Sequence, residues 1–292
     1  LTVSEHLTAP STRTLRLEDT SGAADGLNGM CGIAGYSIGA ESVVERTLAA
    51  QALLAGIAER GADAVGYAHR SHGRAVVVHK QQTAASALLD AVSIPADATQ
   101  VLVHVRDYTK GHPTILANNH PIRHGSVVGI HNGIIANDDE LFERHGWSRA
   151  EPEMTVDSEA IFALAEARAS DARALEELHG AMASAWIDER EPETLFLARG
   201  VGRPLWVGRG GRELFFASTR DALEVVERTL RLDLWLTEVD EGRLLRLVDG
   251  RVATEERFRP RAFREENPLP TVRAPHEGAH CLERLAAIAA LA

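Results

Sequence analysis

Cysteine is nearly missing from this chain: Cys31 and Cys281 are the two among 292 residues. Two thiols make no disulfide framework. The expectation is therefore a reducing compartment, the cytoplasm, with each thiol either a small buried apolar group or reactive. No apolar run approaches the ~18–20 residues needed to span a bilayer, which leaves no membrane partner to expect. With 45% hydrophobic and 25% charged residues, the composition is that of a soluble globular protein. Basic residues are the minority charge, 31 Lys and Arg against 42 Asp and Glu, for a net charge of −11. That shortage argues against a nucleic-acid surface, which needs a clustered positive excess. A signal-peptide core is absent too: residues 1–30 are polar and rich in Ser, Thr, Gly and Asp. They read as an extension or propeptide ahead of a working protein that starts at Met30 or Cys31.

What is present begins with "GIAGYSI" after Cys31, a short buried strand. Residues 42–45, "SVVE", have capping-box spacing and predict a helix with Val43, Ala50, Leu54 and Ile57 on one face, stopping near Gly61. "AVGYAHR" and "AVVVHK" flank a turn at 71–73 and predict a hairpin. "QVLVHVRD" is a strand, 108–123 is irregular, and "SVVGIHNG" is a strand ending in an Asn-Gly turn. Three helical stretches follow: "NDDELFERHG", "DSEAIFALAEAR" and "DARALEELHG". From Met182 the pattern turns to strands, broken by a helix near 221–230 and closed by an Asp-Gly hairpin in "GRLLRLVDGRV". Hairpins dominate and helices come in blocks. That predicts an α+β protein with antiparallel sheets and helices on their outer faces. The expected domain spans 31–253. Residues 254–292 read as a proline-containing linker and a short helix with Leu282, Leu285, Ile288 and Leu291 on one face, packed on the domain or on another subunit, a homo-oligomer included.

Cys31 has chemistry of its own. Were Met30 removed, it would carry a thiol and a free α-amine whose reference pKa is ~7.7–8.0. Such an amine takes the thiol proton with no histidine partner. The alternative is an inert buried thiol, which most free cysteines are. His104, His112, His120, His124 and His131 fall close together, yet their spacing matches no metal motif. No metal site and no cofactor is expected, and the histidines read as neutral groups hydrogen-bonded beneath a site.

"MCGIAGY" resembles the opening of class II glutamine amidotransferases, the glutaminases with an N-terminal nucleophile. "ERGADAVGYA" looks like their "RGPDxxG" segment, with Ala62 where Pro is usual. "HVRDYTKGHPTILANNHPI" is similar to "HxRxxTxG…NxHP", "VVGIHNGII" to the "HNG" segment, and "TVDSEAI" to "xDTExI". The motifs occur in the family's order from Cys31 to about Val252, nearest the glutaminase branch of glucosamine-phosphate synthase. The resemblance implies an αββα four-layer sandwich of two stacked antiparallel sheets with helices outside. It implies hydrolysis of L-glutamine to glutamate and ammonia through a thioester on Cys31. Arg106 would grip the α-carboxylate, Asp157 the α-ammonium, and Asn132 with Gly133 would form the oxyanion hole. Thr109 lies in a loop that folds over glutamine in the family. Asp107, Tyr108 and Lys110 stand there in place of aromatic, Ala and His residues, a departure that bears on affinity and closure. The 39 residues from 254 to 292 are too few for a synthase domain, so the expected ammonia acceptor is a separate synthase subunit. Two other readings compete: a different N-terminal-nucleophile amidase, for which Arg106 and Asp157 would be idle, and a catalytically silent glutaminase-like docking module.

Overall fold

The structure, a computed structural model, describes residues 31–265 and 270–291. Two antiparallel sheets stack face to face. The first has seven strands in the order β11 (Trp235–Glu238), β9 (Trp206–Arg209), β10 (Glu213–Ala217), β1 (Gly32–Ile38), β4 (Ala98–Arg106), β2 (Ala64–Ser71) and β3 (Val77–Gln81). The second has six: β13 (Arg251–Arg257), β12 (Arg243–Val248), β8 (Thr194–Arg199), β7 (Gly180–Asp188), β6 (Val127–Ile135) and β5 (Ile122–His124). Helices α1 (Arg46–Ile57), α5 (Arg220–Leu230) and α6 (Pro275–Ala289) cover the outer face of the first sheet, beside the short α2 (Ala85–Leu88). Helices α3 (Asp138–His145) and α4 (Glu159–Ala167) cover the second. The result is the αββα sandwich expected.

The layering explains why the central strands read as continuous apolar runs. In β1, Ile33 enters the core between the sheets, while Ala34, Tyr36 and Ile38 pack under the helices. Both faces are covered, so neither can be polar. From the second sheet, Val128 and Ile130 of β6 meet Ile33 and Leu102 in that central core. Strand alternation then aims Cys31 and Asn132, each two residues along, at the same space between the sheets.

Local structure departs from the sequence reading in several places, and β13 carries strand into residues 254–257, read as linker. Helix α1 begins three residues late: Glu45 is its N-cap, accepting from the Thr47 and Leu48 amides. Ser42 is drawn away to the Glu213 carboxylate, and Val43 lies outside the helix, 99% exposed. The stretch Ala172–Glu177 is a 3-10 helix instead of an α-helix, opened by an Asp171 cap on Arg173 N. Strand β11 was not read at all; with Trp235 exposed, it shows no buried alternation. Strand β6 does not end in an Asn-Gly turn. It runs through Asn132 and Gly133 to Ile135, paired with Ala183 and Met182 of β7. Finally, α6 buries Gly278, Cys281 and Leu285, while Leu282 and Leu291 are 43% and 92% exposed. Docking selects that stripe: a Cβ at Gly278 would come 2.8 Å from the Glu59 Cβ, so only glycine permits this approach.

The α6 stripe makes a direct prediction. Leu285→Ala removes a buried side chain and should cost about 2–4 kcal/mol, whereas Leu291→Ala should change stability by less than about 0.5 kcal/mol. Urea unfolding with constant m-value checks both. Equal effects would mean the helix docks by another face.

Candidate active site

Strand register builds the site. In the pairing of β1 with β4, Gly32 stands opposite Val105, so Cys31 lies beside Arg106 at the strand end. The Cys31 Sγ donates to the Asp107 carbonyl at 3.4 Å, and Arg60 Nε donates to the Cys31 carbonyl at 3.1 Å. The thiol is buried, and desolvation pushes its pKa up to about 11 against the lowering pull of the Asp107 carbonyl and the Arg106 charge. It is therefore protonated near neutrality and needs a base to act as a nucleophile.

Arg106 is also buried. Its Nη1 donates to Asn119 Oδ1 at 2.5 Å, and its Nη2 donates to the carbonyls of Lys110, at 2.8 Å, and Gly111. The fork thus grips its own loop. Lys110 pins the same loop from outside, its Nζ 2.7 Å from Asp138 Oδ1 and 2.8 Å from Asp139 Oδ2. The cleft lined by Cys31, Arg106, Thr109, Gly133, Asp157 and Ser158 is consequently almost shut, with ≈ 10 Å³ of space. That is room for about one water. A wider groove of ≈ 690 Å³ lies elsewhere, among Arg173, Glu176, Arg243, Arg257 and Arg259. It holds none of the motif residues, so size alone misidentifies the site.

Asp157 precedes α4 and is buried, its Oδ2 accepting from Ile135 N at 2.6 Å. Desolvation raises its pKa to about 6, more than that hydrogen bond lowers it. At Gly133 φ is +147°, and a Cβ would sit 1.9 Å from the Ala181 carbonyl oxygen, so no side chain fits. The neighbouring Asn132 amide is fully buried with neither Oδ1 nor Nδ2 partnered among the described residues. An orphan buried amide is costly and marks a place where a ligand group is expected.

Three of the five clustered histidines come together here. His104 Nε2 lies 3.1 Å from the His131 carbonyl, which makes that nitrogen the donor. His131 Nε2 faces the Ala181 carbonyl, leaving Nδ1 to accept from Ser158 Oγ at 2.8 Å. His104 and His120 stack at 4.2 Å, and neither ring nitrogen of His120 has a hydrogen-bond partner among the described residues. Burial lowers all three pKa values, to about 3 for His104 and His131, so these rings are neutral. His112 and His124 sit apart, against Thr114 and Glu159.

The family profile described as "Glutamine amidotransferase domain" matches residues 111–225. Over 222 residues the chain is 35% identical to the glutamine–fructose-6-phosphate aminotransferase of Caulobacter vibrioides, covering 72% of this chain and 35% of that protein. This chain belongs to the glutamine amidotransferase family. The corresponding protein of Zymomonas mobilis is 31% identical over 241 residues, 76% of this chain and 38% of its own. The chain thus spans about a third of the length of these relatives. The fold is similar to that of the glutamine PRPP amidotransferase from B. subtilis, with a TM-score of 0.59 and 22% identity over 78% of this chain and 49% of that one.

For this amidotransferase domain the profile match includes Asn132, Gly133 and Asp157, while Cys31, Arg106 and Thr109 lie before it. The sequence reading gave no role to Arg60, whose guanidinium holds the Cys31 carbonyl. Its only signal was its place in "ERGADAVG".

The raised Asp157 pKa has a measurable sign. The folded state holds this proton up to about pH 6, the unfolded chain only to about 3.9. Its contribution to stability is therefore fully present below about pH 4 and is lost as the pH rises through about 6. Relative to Asp157→Asn, the wild type should lose roughly 2–3 kcal/mol between pH 4 and 7. Urea midpoints at the two pH values test this; a constant difference would mean Asp157 stays ionised in the folded state.

Proposed function

We propose that this chain is a glutaminase, hydrolysing L-glutamine to glutamate and ammonia through a γ-glutamyl thioester on Cys31. One observation carries the reading: a thiol, a guanidinium and a buried carboxylate, brought from Cys31, Arg106 and Asp157, line a single cleft. An amino-acid head group needs the last two, and an amide side chain needs the first.

Glutamine would place its α-carboxylate on Arg106, taking donors now given to the Lys110 and Gly111 carbonyls, so the loop must shift to admit it. Asp157 would take the α-ammonium, with Thr109 beside the head group. The Cys31 α-amine accepts the thiol proton, and sulfur attacks the γ-carbonyl carbon. The oxyanion falls to the Asn132 amide and the Gly133 N–H, donors worth roughly 3–4 kcal/mol each. Collapse breaks the C–N bond, the amine returns its proton to the leaving ammonia, and water deprotonated by the same amine opens the thioester. The scheme requires cleavage of the Met30–Cys31 bond; residues 1–30 lie outside the described residues. With that peptide retained, Cys31 has no free amine, and the silent docking module becomes the better reading.

In this reading the glutaminase unit, expected over 31–253, takes in all of β13 to Arg257, and helix α6 packs back onto it. The ammonia serves a synthase centre on a separate chain, in the cytoplasm where glutamine is abundant.

Native protein should therefore show an N-terminal mass starting at Cys31 and release glutamate and ammonia from glutamine. Cys31→Ala should abolish turnover, and Arg106→Ala should lower kcat/KM by about 10²–10³-fold, the value of a charge-assisted fork. Turnover by protein still carrying residues ahead of Cys31 would sink the mechanism. Full-rate hydrolysis unstimulated by any co-encoded protein would sink the separate acceptor.

A further inference from the structure

The C-terminal segment reaches the catalytic end of the sandwich. Beyond β13, Glu265 is ion-paired to the buried Arg203 at 2.6 Å. From residue 270 the described chain resumes and meets Glu59. There the amides of Arg273 and Ala274 both donate to the Glu59 carbonyl at 2.9 Å, next to the Arg60 that holds the Cys31 carbonyl. Helix α6 then locks the segment down through Cys281 and Leu285 in the core, Glu277 on Ser86, and Arg284 on Asp90 and the Ser86 carbonyl.

From this anchored position the Arg273 Nη1 stands 3.5 Å from Asp107 Oδ2. Asp107 is buried, and that oxygen has no hydrogen-bond partner among the described residues. The same residue's carbonyl accepts from the Cys31 thiol. Asp107 thus touches the nucleophile with its backbone and the C-terminal segment with its side chain. In the loop after it, Lys110 and Gly111 give their carbonyls to Arg106.

We propose that Arg273 is a positioning residue for the Cys31 nucleophile, acting through the carboxylate of Asp107. This rests on the glutaminase reading for its catalytic consequence, though its geometric part does not. The charges around Asp107 leave it few choices. Asp63 faces it as a like charge and takes the Tyr108 amide, and burial disfavours the charged form. Arg273 is the cation that offsets both. Without it the carboxylate must turn outward or carry its charge beside the thiol. Turning outward carries the 107–111 loop, and so disturbs the partners of Arg106. Staying in place opposes ionisation of Cys31, around which Arg60, Arg106, Asp107 and Asp157 are the charged groups.

The test uses the full chain with Cys31 at its N-terminus and two readouts. Alkylation of Cys31 by iodoacetamide, followed by peptide mass between pH 7 and 9.5, requires no turnover. Arg273→Ala should slow it about 3–10-fold, Arg273→Lys should restore most of the rate, and Arg273→Ala in an Asp107→Asn background should have no further effect. In glutamine turnover Arg273→Ala should raise KM more than it lowers kcat, because the loop at Arg106 is disturbed. Arg284→Ala loosens the α6 anchor without removing the cation beside Asp107 and should slow alkylation less than Arg273→Ala does. The proposal is overturned if Arg273→Ala alkylates like wild type, if Arg284→Ala matches it, or if its effect persists with Asn at 107. No turnover by wild type, with the alkylation pattern intact, would strike the glutaminase reading alone.

Discussion

The pairing of β1 with β4 in the middle of the first sheet is the constraint on which the site depends. Gly32 opposite Val105 leaves Cys31 and Arg106 side by side where both strands end. A shift of one residue would turn Cys31 away from the space between the sheets and Arg106 away from its loop. Such a slip is resisted on both faces at once, since Ile33 is committed to the central core and Tyr36 to the helical layer. The register is thus held by burial along the whole strand, and Cys31 inherits its placement from residues outside the cleft.

Burial also sets the electrostatics. Desolvation raises the pKa of Cys31 and Asp157 and lowers that of His104, His120 and His131. The resting site is consequently a neutral thiol over neutral imidazoles, with its fixed positive charge on the Arg60 and Arg106 guanidiniums. With their pKa values lowered so far, these three buried imidazoles are weak acceptors for a thiol proton. Base catalysis from the Cys31 α-amine fits such a site, because an amine ionises near neutrality without a buried partner to tune it. The Asn132 amide is likewise buried without a partner among the described residues, its desolvation cost already met in the fold.

The loop after β4 gives this chain its individual character. It carries Asp107, Tyr108 and Lys110. Each side chain or backbone group is tied outward, to Arg273, to Asp63, and to Asp138 with Asp139. Arg106 completes the closure from inside. The Arg273–Asp107 ion pair couples this loop to a C-terminal segment far away in sequence, and 273 lies well past the last family motif.

The sandwich, the identity of Cys31, Arg106, Asn132, Gly133 and Asp157 as candidates, and most strands were legible in the sequence, because apolar runs and short motifs are local signals. Less local features were not. The Asn-Gly pair of β6 mimics a turn, yet pairing with β7 outweighs that preference and carries the strand to Ile135. The start of α1 moved because Glu213, far along the chain, captures Ser42. The buried stripe of α6 was decided by its fit against Glu59, which helical periodicity alone cannot rank against the Leu282 face. The sequence determined which groups this site has to work with; only tertiary packing decided how tightly they are shut in and which distant residues hold them, because those depend on contacts between segments that no local pattern records.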